Sequence, residues 1–247
     1  MYRIKFLYTD IDGVLSLGSE INPKLTEKWG YVHRFNKKAV DVYNDVLSKT
    51  SAFPIISSDW KSHYTLQDLR EIFVEFAKIK IPPRDITPEI PGVTVQRLEE
   101  FRAKEILQHV AEHNPDVWVA IDDLDLSPWI PKEHFVFIPR WYEGIKQTGK
   151  ADELIEKLNV YELEDEYFSN WEDESCGNFV GWRKNYDNFN ILVNRENPAI
   201  PGFYDLYKVP SNIRSDSPWN EEYWRNSKSG YLTLKELKKL VETYERN

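Results

Sequence analysis

Short apolar runs alternate with stretches of helical spacing through the first two-thirds of the chain. Ile4–Thr9, Ala52–Ile56, Val117–Ile121 and Phe135–Ile138 each hold four to six mostly apolar residues that give way to polar ones. Runs of this kind mark strands buried on both faces of a parallel sheet. Between them, Val40, Tyr43 and Leu47 share one helical face, as do Leu66, Leu69, Phe73 and Phe76, and again Ala151, Leu154, Ile155 and Leu158. Residues three and four apart lie on one side of a helix, so these stripes are read as core faces. A further helix is predicted over Arg102–His113, and strands that alternate with helices give an α/β class with a central parallel sheet.

The rhythm stops at Leu158. An acidic run follows, Glu162 to Glu166, read as a solvated face, and then a segment rich in Trp, Tyr and Asn. A boundary there gives two domains, residues 1–158 and a small α+β accessory module over 159–247. Within the second, Asp187–Val193 is predicted as a strand and Pro198 to Pro218 as a Pro-punctuated loop. Leu232–Tyr244 is predicted as a closing helix, opened by Thr233 with Glu236 three residues on. Trp171, Trp182, Trp219 and Trp224 are read as core of this module rather than as platforms for stacked bases.

Composition narrows the class. The chain is 41% apolar and 14% aromatic over 247 residues, enough to bury one sizeable core and a second small one. No stretch approaches the roughly 20 apolar residues of a membrane span, and the start lacks the pattern of a secretory signal. A soluble, cytoplasmic protein with no membrane partner is expected. Cys176 is the single cysteine, which rules out an intramolecular disulfide and a multi-cysteine zinc site. The net charge of −9 disfavours non-specific wrapping of nucleic acid, whose affinity rests on Lys and Arg. The sequence assigns no oligomeric state.

Candidate chemistry gathers where the predicted strands end. Asp10-Ile11-Asp12-Gly13-Val14-Leu15 follows the first strand, and in an open parallel sheet ligands bind beyond such ends. Gly13 lets the chain turn sharply. Asp10 is read as a nucleophile whose charge is balanced by a magnesium ion shared with phosphate oxygens, and Asp12 as the acid and base beside it. Ser57 or Ser58, after the second strand, can hydrogen-bond a phosphoryl oxygen, although Ser58 can equally cap the next turn. Asp122 and Asp123 end the third strand as adjacent carboxylates, which a cation would relieve. Asp122 is read as a direct magnesium ligand and Asp123 as one acting through water, while Asp125 is read as a turn cap. Arg102 and Lys104 compete for the role of phosphate-side cation.

The order Asp-x-Asp-Gly, then Ser, then Asp-Asp resembles the haloacid dehalogenase superfamily. The stretch from Lys5 to Leu158 is similar, more closely, to the domains of that type found in Swiss army knife RNA repair proteins. The resemblance is carried by Asp10–Leu15, Ser57-Ser58-Asp59-Trp60-Lys61, Thr87-Pro88, Arg102-x-x-Glu105-Ile106, Ile121-Asp122-Asp123 and Gly144-Ile145. Lys61 stands where relatives carry Arg. The resemblance implies a three-layer Rossmann-like fold, magnesium, and phosphate removal through an aspartyl-phosphate. Asp10 and Asp12 are then catalytic, Ser57, Ser58, Arg102 and Lys104 phosphate-binding, and Asp10, Asp12, Asp122 and Asp123 metal-binding. The roughly twenty residues between Leu15 and Phe35 are too few for a separate cap domain, so an essentially capless site is expected. Such a site admits phosphorylated nucleic-acid ends or nucleotides, and the alternatives are a small-metabolite phosphatase or a non-catalytic binding protein of the same fold. Asn185–Phe189 and Ser229–Leu237 resemble an uncharacterised phage module, and the residues beyond Leu158 are expected to select substrates.

Overall fold

In a computed structural model the chain divides into two compact units, Met1–Leu158 and Asn159–Asn247. The structure describes residues 3–18, 26–29, 33–92, 97–175, 180–187, 189–197, 200–210 and 232–246.

The first unit is built on five parallel strands: β1 (Lys5–Thr9), β2 (Phe53–Ile56), β3 (Asp85–Ile86), β4 (Val117–Asp122) and β5 (Phe135–Phe137), in the order β3-β2-β1-β4-β5. The chain reverses its winding between β1 and β4, so the crevice outside their C-terminal ends is the place for a ligand. Both faces of β1 are buried, as its unbroken apolar run requires. Successive side chains point to opposite faces. Phe6, Tyr8, Trp118 and Ala120 go to one, where Ala103 and Ile106 of α4 (Leu98–His113) cover them. On the other face the Thr9 hydroxyl meets Tyr43 of α2 (Lys37–Thr50) at 2.7 Å, and α2 packs against α5 (Lys150–Leu158). Of the remaining helices, α1 (Thr26–Trp29) is a single turn, and α3 (Leu66–Glu71) starts at a capping box between Thr65 and Asp68.

Several expectations change. The helix through Leu66 loosens into a π-turn over Ile72–Ala77. The looser turn rotates Phe76 out of the apolar stripe, and it is 37% exposed while Phe73 is buried. The helix expected from Arg102 begins at Leu98. Strand β3 was not anticipated, being only two residues long. The expectation of no separate cap falls largely on residues 19–25 and 30–32, which lie outside the described ones.

The second unit is an antiparallel sheet of β6 (Glu172–Asp173), β7 (Gly181–Asn185), β8 (Phe189–Asn197) and β9 (Ile200–Pro210), in that order. The segment from Pro198 to Pro218, expected to be loop, therefore contains the longest strand described. Proline is tolerated in β9 because β9 is an edge strand of the sheet. The helices α6 (Val160–Phe168) and α7 (Leu234–Glu245) supply Phe168, Leu234, Leu237 and Val241 to a core with Ile191, Val193, Tyr204 and Leu206. Thr233 caps α7 in a box with Glu236, as expected. Trp171 and Trp182 pack against this core, Trp182 lying parallel to Phe168 at 3.9 Å. Trp219 and Trp224, and Ser229–Tyr231 of the expected match to a phage module, lie outside the described residues. The acidic run is not wholly solvated. Glu164 is buried, pairs with Arg195, and accepts a 2.6 Å hydrogen bond from Tyr204. One charged residue in the run thus turns inward because a guanidinium and a hydroxyl are there to compensate it.

Candidate active site at the strand ends

Register brings the chemistry to one level. Thr9 pairs with Ile56 and with Ile121 across the two neighbouring strands, so Asp10, Ser57 and Asp122 leave the sheet side by side. Backbone bonds hold that alignment, from Asp10 N to Ile121 O and from Ser57 N to Thr9 O, both 3.1 Å. The chain then turns at Gly13, whose φ is +74°. A Cβ there would lie 2.1 Å from Asp123 Oδ2, so glycine is required both for the turn and for the space the carboxylate occupies.

Asp10 and Asp122 are almost fully buried. Arg102 donates from one nitrogen, Nη1, to Asp10 Oδ1 at 3.0 Å and to Asp122 Oδ2 at 2.9 Å, and from Nη2 to Asp59 Oδ1 at 2.6 Å. Burial pushes the Asp10 carboxyl up, Arg102 opposes this, and Asp12 adds to it. Asp122 is raised well above the carboxylate range by burial and by Asp10, and Asp123 is pushed up to about 6 by the same two causes. For Arg102, burial acts against the charge, but Asp122, Asp10 and Asp59 outweigh it and hold the guanidinium firmly protonated. Burial leads the three carboxyl shifts and neighbouring negative charge adds to them, while the same charge raises Arg102.

The two serines take different positions. Ser58 hydrogen-bonds Asp10 and makes no side-chain cap to the turn that follows. The Ser57 hydroxyl is fully buried and has no hydrogen-bond partner among the described residues. An orphaned buried hydroxyl costs about 1–3 kcal/mol, which an incoming phosphoryl oxygen would relieve. Asp12 is gripped at both oxygens, by Trp60 Nε1 at 2.8 Å and by His33 Nδ1 at 3.1 Å, yet its side chain stays half exposed. Such a carboxyl is oriented and still open to a substrate.

Arg102, not Lys104, lies among the strand-end carboxylates. The Lys104 ammonium pairs with Glu100 on its own helix at 2.7 Å and is half exposed; two residues on from Arg102, it projects from another side of α4. Lys61 is buried in an ion pair with Glu105 and donates to Thr87 Oγ1 at 2.8 Å. Asp125 accepts from Ser127 N, as a turn cap should. Sequence reasoning missed His33 as a partner of Asp12, and treated Asp59 and Trp60 only as parts of a motif. A cleft of about 350 Å³ lined by Asp59, Lys61, Ile90, Phe101, Arg102 and Glu105 opens beside this group.

The donor set fits magnesium. Asp10, Asp122 and Asp123 each offer an oxygen, all within 4.8 Å of one another. They are hard ligands of the type that ion prefers, and a cation there would favour the charged forms that burial and neighbouring carboxylates oppose. Asp12 is not part of that cluster. Bound there, the ion would balance charge on the phosphoryl group and orient it.

Residues 6–148, which hold the whole parallel sheet except Lys5 of β1, match the family model described as the HAD domain in Swiss Army Knife RNA repair proteins. The chain belongs to this family. No curated protein and no solved structure matches it. Membership places the first unit in the haloacid dehalogenase superfamily and points to phosphohydrolase chemistry.

Proposed function

We propose that this HAD-type domain is a magnesium-dependent phosphomonoesterase that acts through an aspartyl-phosphate on Asp10, with nucleic-acid ends or nucleotides as substrates. The observation that carries the reading is the convergence of Asp10, Asp122 and Asp123 with a bridging Arg102 and an unpartnered Ser57 hydroxyl. In the first half-reaction an Asp10 oxygen attacks phosphorus, and Asp12 gives a proton to the departing oxygen. In the second, Asp12 takes a proton from water, which attacks the same phosphorus and frees Asp10. Arg102 and Ser57 supply donors to the non-bridging oxygens, where charge accumulates. Held by Trp60 and His33, Asp12 is fixed for both proton transfers.

The polymer or nucleotide substrate is supported by the family's link to RNA repair and by two exposed aromatics, Trp141 and Tyr142. Both lie in the loop that leaves β5 at the strand-end side. Ile145 N bonds Val14 O at 3.1 Å, tying this loop to the Asp10 turn. Exposed rings beside a phosphate site can stack bases without regard to sequence. The test is a panel of 3′- and 5′-phosphorylated oligonucleotides, mononucleotides and sugar phosphates with magnesium. Preference for the nucleotide members, weakened by Trp141→Ala, supports the substrate; preference for sugar phosphates makes this a metabolite phosphatase. Hydrolysis of no member leaves the non-catalytic reading.

A further inference from the structure

A second cluster of metal-ligating side chains lies away from the strand-end carboxylates, on the same helix that carries Arg102. His109 and His113 are one turn apart on α4, and Asp85 begins the edge strand β3 beside them. Their Nε2 atoms stand 3.5 and 3.6 Å from Asp85 Oδ2, and the three can offer ligand atoms within 4.8 Å of one another. We propose that Asp85, His109 and His113 form a binding site for a borderline divalent cation such as zinc, separate from the magnesium site.

Proton placement on the two rings argues for this. His113 Nδ1 lies 3.0 Å from the His109 carbonyl, which can only accept, so Nδ1 donates there and Nε2 is the nitrogen that faces Asp85. When the imidazole acts as a ligand, that nitrogen and the carboxylate oxygen are two acceptors that a metal ion would bridge. His109 Nδ1 meets the Tyr8 hydroxyl at 2.9 Å, while its Nε2 is buried with no hydrogen-bond partner among the described residues. A carbonyl or hydroxyl on the far nitrogen of each ring is also the arrangement that orients metal-bound imidazoles.

The chemistry selects the ion. Two imidazoles and a carboxylate suit zinc, cobalt or nickel and are a poor set for magnesium. Three protein ligands leave a fourth position, and a cleft of about 540 Å³ lined by Lys61, Asp85, Thr87, His109, Glu112 and His113 gives it access to water. The rings lie parallel at 3.9 Å, so closing on the ion requires one to tilt. His113 is the one with room, its side chain being 39% exposed against 2% for His109. Such an ion would join β3 to the helix that holds Arg102 about two turns away, so it would stabilise the fold by binding the native state alone.

The site is tested on the full-length protein, stripped of metal and then kept in excess magnesium to fill the oxygen cluster. Cobalt is titrated while visible absorption is followed, because a four-coordinate site with imidazole ligands absorbs far more strongly than a six-coordinate oxygen site; zinc is then titrated by calorimetry. The proposal expects one equivalent with the strong absorption and a raised melting temperature. Affinity should fall at least tenfold in His113→Ala and in Asp85→Asn, and remain unchanged in Asp10→Asn. His113→Gln serves as a second variant if His113→Ala melts at a lower temperature without metal. Absence of binding, binding that survives both cluster variants, or loss of binding in Asp10→Asn each overturns the proposal; the last would put the ion at the strand ends, and a plain His113–Asp85 ion pair would remain as the account of the cluster.

Discussion

The indole N–H of Trp60 donates to Asp12 Oδ2 at 2.8 Å across 48 residues of sequence. With His33 on the other oxygen, this bond fixes the carboxyl assigned to proton transfer. Trp60→Phe keeps the ring and removes the donor. Turnover of an alkyl phosphate, whose leaving oxygen needs a proton, should fall by about 10- to 100-fold, a part of what a general acid contributes. Turnover of an aryl phosphate with an acidic leaving group should fall less. Equal losses on both substrates would remove Asp12 from the role of acid.

Gly13→Ala is expected to damage the metal site directly. The added Cβ would meet Asp123 Oδ2 at 2.1 Å, at a φ of +74° that side chains rarely adopt. The backbone strain alone costs on the order of 1–2 kcal/mol, and relieving the clash moves Asp123. Magnesium affinity, read by the dependence of activity on ion concentration, should weaken along with the melting temperature. A stable variant with unchanged affinity would mean that Asp123 takes no part in holding the ion.

The strand-end carboxyls also predict an unusual pH response. Burial and then Asp10 push Asp123 up to about 6 from 3.8. Between those values the folded chain holds a proton that the unfolded chain has lost, so this carboxyl makes stability fall as pH rises. A bound divalent ion would offset that loss. Urea unfolding of the wild type and Asp123→Asn, compared from about pH 4 to 7, isolates the contribution. Without magnesium the wild type should lose stability relative to the variant as pH increases, and with magnesium the loss should shrink. A relative gain with pH in the absence of the ion would contradict the assignment.

Much of the site was legible because the sheet does the placing. Asp10, Ser57 and Asp122 each occupy the first polar position after an apolar run or its last residue, and parallel register brings such positions level. The grip on Asp12 was not legible: His33 and Trp60 reach it from 21 and 48 residues away, and neither shows a pattern that marks a partner. Lys61 and Glu105 are likewise a pair made by packing between a turn and α4. Within the fold, β3 is too short to show a period. The prolines that suggested a loop after Asn197 belong in part to β9, where an edge position frees the backbone from needing every N–H. Glu164, on α6, turned inward because Arg195 of β8 and Tyr204 of β9 compensate it.

The central claim is that Asp10 attacks phosphorus while magnesium balances the charge around it. Its most direct measurement is phosphate release from an aryl phosphate by wild type and Asp10→Asn, each with magnesium and with excess chelator. The account predicts turnover only for the wild type with magnesium, with Asp10→Asn folded and inactive. Comparable turnover by folded Asp10→Asn, or by the wild type in chelator, would contradict it.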